Sequence, residues 1–158
     1  MAKHAQIAIT DLVFGIVIFL FLLTTFLIVY TRLNNRLNDA ILFNDLELST
    51  IHTADLLTKH PGSPADWETH PNDLQVLGLA RDDRVLSPAK IQALANLSSN
   101  TTLSILNVKR YNLYLLIRTS TQGLLELGQP PAKRTVHIQR IVQYENAPAT
   151  LDVALSEQ

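Results

Sequence analysis

Between Asp11 and Arg32 the chain runs through LVFGIVIFLFLLTTFLIVY, the 19 residues from Leu12 to Tyr30, without one charged side chain. Coiled into an α-helix at about 1.5 Å per residue, this run is roughly 28 Å long, close to the hydrocarbon thickness of a bilayer. Only Gly15, Thr24 and Thr25 interrupt the large apolar side chains. A helical threonine hydroxyl bonds back to a carbonyl one turn earlier, so neither threonine bars the run from lipid. A soluble chain of 158 residues has little core in which to bury such a helix on every side. The run therefore predicts a membrane helix. A cleaved secretory signal has an apolar stretch of about 7–15 residues and a small-residue cleavage site behind it. Here the run ends in Val29-Tyr30-Thr31-Arg32, so cleavage behind it is not expected.

Composition narrows the function classes. The 13 Lys+Arg against 14 Asp+Glu give a net charge of −1, which argues against a nucleic-acid binder with a basic face. Lys109-Arg110 beside Tyr111 is too small a patch to change that. The apolar fraction of 47% argues against an acidic disordered chain. The absence of cysteine excludes disulfides, thiol catalysis and cysteine-ligated metal sites.

Beyond the apolar run, residues 32–60 keep a helical period. Leu33, Leu37, Ala40, Ile41, Asn44, Leu48, Ile51, Ala54 and Leu56 recur at steps of three and four, against a polar face with Asn34, Asn38, Asp45 and Glu47. One long helix is expected, apolar all round over 6–31 and amphipathic over 32–60. Pro61-Gly62 ends it, since glycine closes helices and proline cannot continue them.

The rest, 61–158, reads as an α+β head. Ser87-Pro88 offers an N-cap and a first helical residue for a short helix through Ile91 and Leu94, stopping near Ser99-Asn100, with a further turn or two over 101–107. Tyr111 to Thr119, Arg134 to Tyr144 and Ala149 to Leu155 read as three strands, and Gln122 to Lys133 as a loop. They predict a small antiparallel sheet packed on the amphipathic helix.

Two segments resemble a known family. Lys3-His4-Ala5-Gln6-Ile7-Ala8-Ile9-Thr10-Asp11 directly precedes the apolar run. It resembles the class III signal of archaeal type IV pilin-like proteins: a short basic leader, a small residue, glutamine, and an acid just before the hydrophobic helix. Ala5 stands where that family has glycine, and Asp11 where it has glutamate. The second segment is Gly62-Ser63-Pro64-Ala65-Asp66-Trp67. It is similar to a Gly-x-Pro-x-x-Trp motif of archaeal pilin-like, membrane-anchored proteins, as is Val76-Leu77-Gly78-Leu79 after it.

The resemblance implies that residues 1–5 form a leader and that a prepilin peptidase cuts once within Ala5-Gln6-Ile7, either between Ala5 and Gln6 or between Gln6 and Ile7, leaving the helix on the mature protein. Asp11 would then serve assembly, because a new amine in an apolar filament core needs a counter-charge. The partners implied are membrane lipid, copies of the chain or related pilin-like subunits, and the peptidase. The head would be extracytoplasmic. Charge counting points the other way: Lys3, His4 and the amine precede the span, and Arg32 and Arg36 follow it. A single-span accessory subunit of a membrane complex, uncleaved and with an interaction head, would show the same helix.

Chemistry-bearing patterns are sparse. His52 and His60 stand eight apart on one helix, two turns, too far to share an ion. No Gly-x-Ser-x-Gly elbow or glycine-rich phosphate loop occurs. Asp66, Glu68, Asp82 and Asp83 lack the alternation of a calcium loop. No catalytic residue, metal or cofactor is expected. Trp67, with Gly62 and Pro64, is expected to fill a gap between helix and head, as a lone tryptophan is a large apolar plug with one donor to satisfy. Asn96-Leu97-Ser98 and Asn100-Thr101-Thr102 are glycosylation sequons. Asn100, placed in a loop by this reading, is the better acceptor.

Overall fold

A computed structural model describes the backbone of residues 2–120, 122–130 and 134–157, and the side chains of the same residues from 12 onward. The chain divides into two compact units, Met1–Phe43 and Asn44–Gln158. The boundary falls inside a single helix, α1 (Ala2–Lys59).

In the first unit α1 exposes its side chains all round. Phe14 is 67% exposed, Phe21 71% and Phe26 65%, and no residue of its most apolar stretch is buried. This helix is long and apolar enough to cross a membrane, with a mean hydropathy of 3.0 over that stretch. Thr24 and Thr25 donate their hydroxyls to the carbonyls of Leu20 and Phe21 at 2.7 and 2.9 Å, as expected of threonine in an apolar helix.

The second unit is α+β. The last turns of α1, from Asn44, pack on a mixed sheet together with two short helices. In chain order there follow a 3-10 turn (Pro71–Asp73), β1 (Ala80–Asp82), β2 (Val85–Leu86), α2 (Pro88–Asn96), α3 (Ser99–Ile105), β3 (Tyr111–Thr119), β4 (Gly123–Leu127), β5 (Thr135–Tyr144) and β6 (Ala147–Glu157). The sheet order is β1-β2-β5-β6-β3-β4. β6 lies at the centre, antiparallel to β3 from Tyr111↔Glu157 to Thr119↔Ala149 and to β5 from Thr135↔Ser156 to Tyr144↔Ala147. β2 meets β5 in parallel, at Val85↔Gln143.

The sheet is thus larger than the three expected strands and not wholly antiparallel. The segment read as a loop contains β4, because Leu125, Glu126 and Leu127 pair with Ile117, Leu116 and Leu115 of β3, and Gly123 with Arg118 across a register shift, although glycines stand at both ends. β1 and β2 are too short to leave a period-two pattern. The short helix stops at Asn96, and Ser98 starts a second one by accepting the Thr101 N–H at 3.2 Å.

The buried line of α1 differs from the expected stripe. Leu46, Thr50, Thr53, Ala54, Leu57 and Thr58 are buried, whereas Leu33, Leu37, Ile41 and Leu48 are exposed. The reason lies in the threonines. Thr50 and Thr58 donate their hydroxyls to the carbonyls of Leu46 and Ala54 at 2.7 and 2.8 Å. With the hydroxyl satisfied inside the helix, the methyl group can face the core, so the core-facing line looks polar in sequence. Leu46, Ala54 and Leu57 join Leu77, Leu79, Leu94, Leu115, Ile117, Leu151, Val153 and Leu155 in one core.

Trp67, the one tryptophan and fully buried, reports on this core. Leu46→Ala should destabilise the C-terminal unit by about 2–5 kcal/mol, while Leu48→Ala should stay within about 0.5 kcal/mol of wild type. Denaturant unfolding followed by Trp67 fluorescence measures both, and equal losses would contradict the assigned face.

Candidate functional site

The sequence points to two sites, the N-terminal helix and the segment around Trp67. Ala5, Gln6 and Ile7 lie in α1, but their side chains and that of Asp11 lie outside the described residues. What the structure does describe is the apolar surface that begins at Leu12. Gly15 has open space where a Cβ would stand, and Phe26 stacks on Tyr30 with ring centroids 6.2 Å apart.

The Trp67 segment is a junction between the end of α1 and the sheet. A helix leaves its last carbonyls without intrahelical partners. Here the carbonyls of Leu57, Thr58 and His60 accept the N–H groups of Leu79, Arg84 and Ala80 at 3.1, 2.9 and 3.3 Å. The Lys90 ammonium, on a side chain that is almost wholly buried, donates to the carbonyls of Pro61 and Ala80. The His60 ring accepts the Gly62 N–H at its Nδ1 at 2.9 Å.

Glycine is required twice in this junction. Gly62 has φ +95°, and a Cβ there would come within 2.4 Å of the Trp67 ring. Gly78 passes so close to the end of α1 that a Cβ would stand 2.0 Å from the His60 carbonyl oxygen. Trp67 fills the space, fully buried, and its Nε1 donates to the Gly78 carbonyl at 2.9 Å. Its one polar group is thereby satisfied, as a buried indole requires. Pro64 follows a cis peptide bond from Ser63, and Ser63 bridges to Val76. Gly62, Pro64 and Trp67 therefore meet in one place, joined by Gly78, which the sequence marks only as part of the Val76–Leu79 segment, and by Lys90, to which it assigns no role.

Two ion-pair groups lie on the other exposed parts of the unit. Asp55 receives Lys59 Nζ at 2.9 Å on one oxygen and Arg140 at 2.9 Å on the other. The hydrogen bond from Lys59 holds the Asp55 carboxyl below its ordinary 3.8; burial opposes this and the Arg140 charge adds to it. Asp45 receives the Tyr111 hydroxyl at 2.6 Å and Arg110 at 2.8 Å. Burial first, then the bond to Asp45, pushes the Tyr111 phenol up.

A third group escaped the sequence reading. Asp152 is 3% exposed on β6, with Arg118 at 3.6 Å and His137 at 3.7 Å on the flanking strands. Its neighbours Ala154 and Ser156 are buried too, so β6 is covered on both faces and its alternation signals only one of them. Among the described residues no group of three or more metal-ligating side chains converges. Asn96 closes α2 and is exposed. Asn100, expected in a loop, is instead the second residue of α3, also exposed.

No protein-family model, curated protein or solved structure matches this chain.

The Asp55 pair has a definite pH signature. A carboxyl whose pKa is depressed on folding contributes stability that is complete above its unfolded value and vanishes as pH falls through its folded value. Asp55→Asn should therefore lower the Tm at pH 7 and lose this effect as the pH falls well below 3.8, read by Trp67 fluorescence during heating. A Tm difference that persists unchanged at about pH 2 would contradict the assignment.

Proposed function

We propose that this chain is a non-enzymatic, pilin-like subunit, held in the membrane by α1 with its C-terminal unit outside the cell, and joined to copies of itself or related subunits through that helix. The observation that carries the reading is the all-round exposure of Leu12 to Tyr30. Nineteen residues of this kind in water would be strongly unfavourable at about 25 cal/mol per Å² of apolar surface, so lipid or neighbouring helices must surround them. The leader-like residues Lys3 to Asp11 and the Gly62–Trp67 motif add the resemblance to pilin-like proteins.

In this reading the helix serves two states. In the membrane it is an anchor whose backbone groups are all bonded within the helix. In a filament the same surface packs against other helices, where van der Waals contact replaces lipid. Asp11 would then offset the new amine left by cleavage near Ala5, Gln6 and Ile7. The C-terminal unit, tied to the last turns of α1, would be displayed.

The test is the mature N-terminus, read by intact-mass and terminal-peptide mass spectrometry on native membranes and on sheared surface material. A terminus at Gln6 or Ile7, present in both fractions, is the expected result. An intact Met1 or Ala2 terminus confined to membranes would overturn the reading in favour of a single-span accessory subunit. Extra mass at Asn96 or Asn100 would report an outward C-terminal unit in the same spectra.

A further inference from the structure

β5 spans ten residues, but its outer neighbour β2 has two and meets it only at Val85↔Gln143. The register of β5 on β6 is unbroken, so alternate residues turn their backbone groups to opposite sides. The Arg134 carbonyl accepts the Glu157 N–H on the β6 side, and the Gln143 N–H donates to the Arg84 carbonyl at 2.8 Å on the outer side. By this parity His137, Gln139 and Ile141 also face outward. Among the described residues their N–H groups have no backbone partner. A strand edge left open in this way is a template for another strand.

The open edge borders a groove of about 320 Å³, lined by Asp55, Lys59, Arg84, Gln139, Arg140 and others. It lies where β2 would run if it were longer. The chain leaves that line at Arg84, whose φ of +59° is a conformation that glycine or asparagine adopts with less strain. Two backbone bonds hold Arg84 there, from its N–H to Thr58 and to its carbonyl from Gln143. The groove thus carries three cations against one carboxylate. Asp55 is shared by Lys59 and Arg140, and Arg84 has no ion pair among the described residues. Asp82 of the same hairpin is paired with Arg81.

We propose that the open edge of β5 binds an extended, acidic segment of a partner protein as an added strand. Backbone bonds to His137, Gln139 and Ile141 supply the attachment. Lys59, Arg84 and Arg140 supply the preference for Asp and Glu at alternate positions, since complementary charge selects among partners.

The experiment uses the full chain in detergent micelles and three labelled heptapeptides. One alternates Val with Glu, one alternates Val with Lys, and one is the Val/Glu peptide with a central proline. Binding is read by fluorescence anisotropy, and the site by amide hydrogen exchange. The Val/Glu peptide should bind, slow exchange at His137, Gln139 and Ile141, and exceed the other two in affinity by about tenfold or more. Arg84→Gly suits the positive φ and so keeps the hairpin. It should weaken the Val/Glu peptide by about fivefold. Absence of binding, equal binding of the Val/Lys or proline peptide, protection confined to β4, or an unchanged affinity in Arg84→Gly would each overturn the proposal.

Discussion

The C-terminal unit depends on how the end of α1 is closed. A helix that stops inside a core leaves carbonyls that must find donors. Leu79, Ala80 and Arg84 supply them from the segment that enters the sheet, and Lys90 supplies an ammonium from α2. That close approach is only open to a residue without a side chain, which is why Gly78 stands against the His60 carbonyl. Trp67 then fills the space left beside Gly62 and bonds back to Gly78. Helix end, loop and first strand are thereby one hydrogen-bonded object, and β2 takes its place beside β5 from there.

The two stretches of α1 meet different demands with different residues. From Leu12 to Tyr30 every side of the helix is apolar and exposed, and threonine is tolerated because its hydroxyl stays within the helix. From Asn44 to Lys59 one line is buried, and threonine is used there for the same reason. Leu48, on another side, is left 67% exposed. The same chemistry thus adapts threonine to an apolar exterior and to a protein core.

Much of this architecture is legible from residue order. The uncharged run locates the apolar part of α1, Pro61-Gly62 its end, and the β-rich stretches at 111–119 and 134–144 the strands β3 and β5. The buried face of α1 was not, because hydropathy counts Thr50, Thr53 and Thr58 as polar wherever their hydroxyls point. β4 was hidden by its flanking glycines, and β1 and β2 by their shortness. At the Trp67 junction the motif residues Gly62, Pro64 and Trp67 could be picked out. The roles of Gly78 and Lys90 depend on contacts across long sequence separations, which no local pattern encodes. Asp152 was likewise invisible, since a single acid within an alternating strand reads as solvent-facing until neighbouring strands cover it.

The helix from Leu12 to Tyr30 is apolar and exposed on every side; the central proposal is that lipid or neighbouring helices remove it from water while the C-terminal unit stands outside the cell. The chain has no cysteine, so single cysteines can be read without background. Cysteines placed one at a time from Phe14 to Leu27, with Asn72→Cys as the surface reference, would be treated with a membrane-impermeant maleimide on intact cells. Asn72, exposed on the 3-10 turn Pro71–Asp73, should label, and no position of the apolar run should. Labelling that recurs every three or four positions along the run, or an Asn72→Cys that reacts only after the cells are opened, would contradict the account.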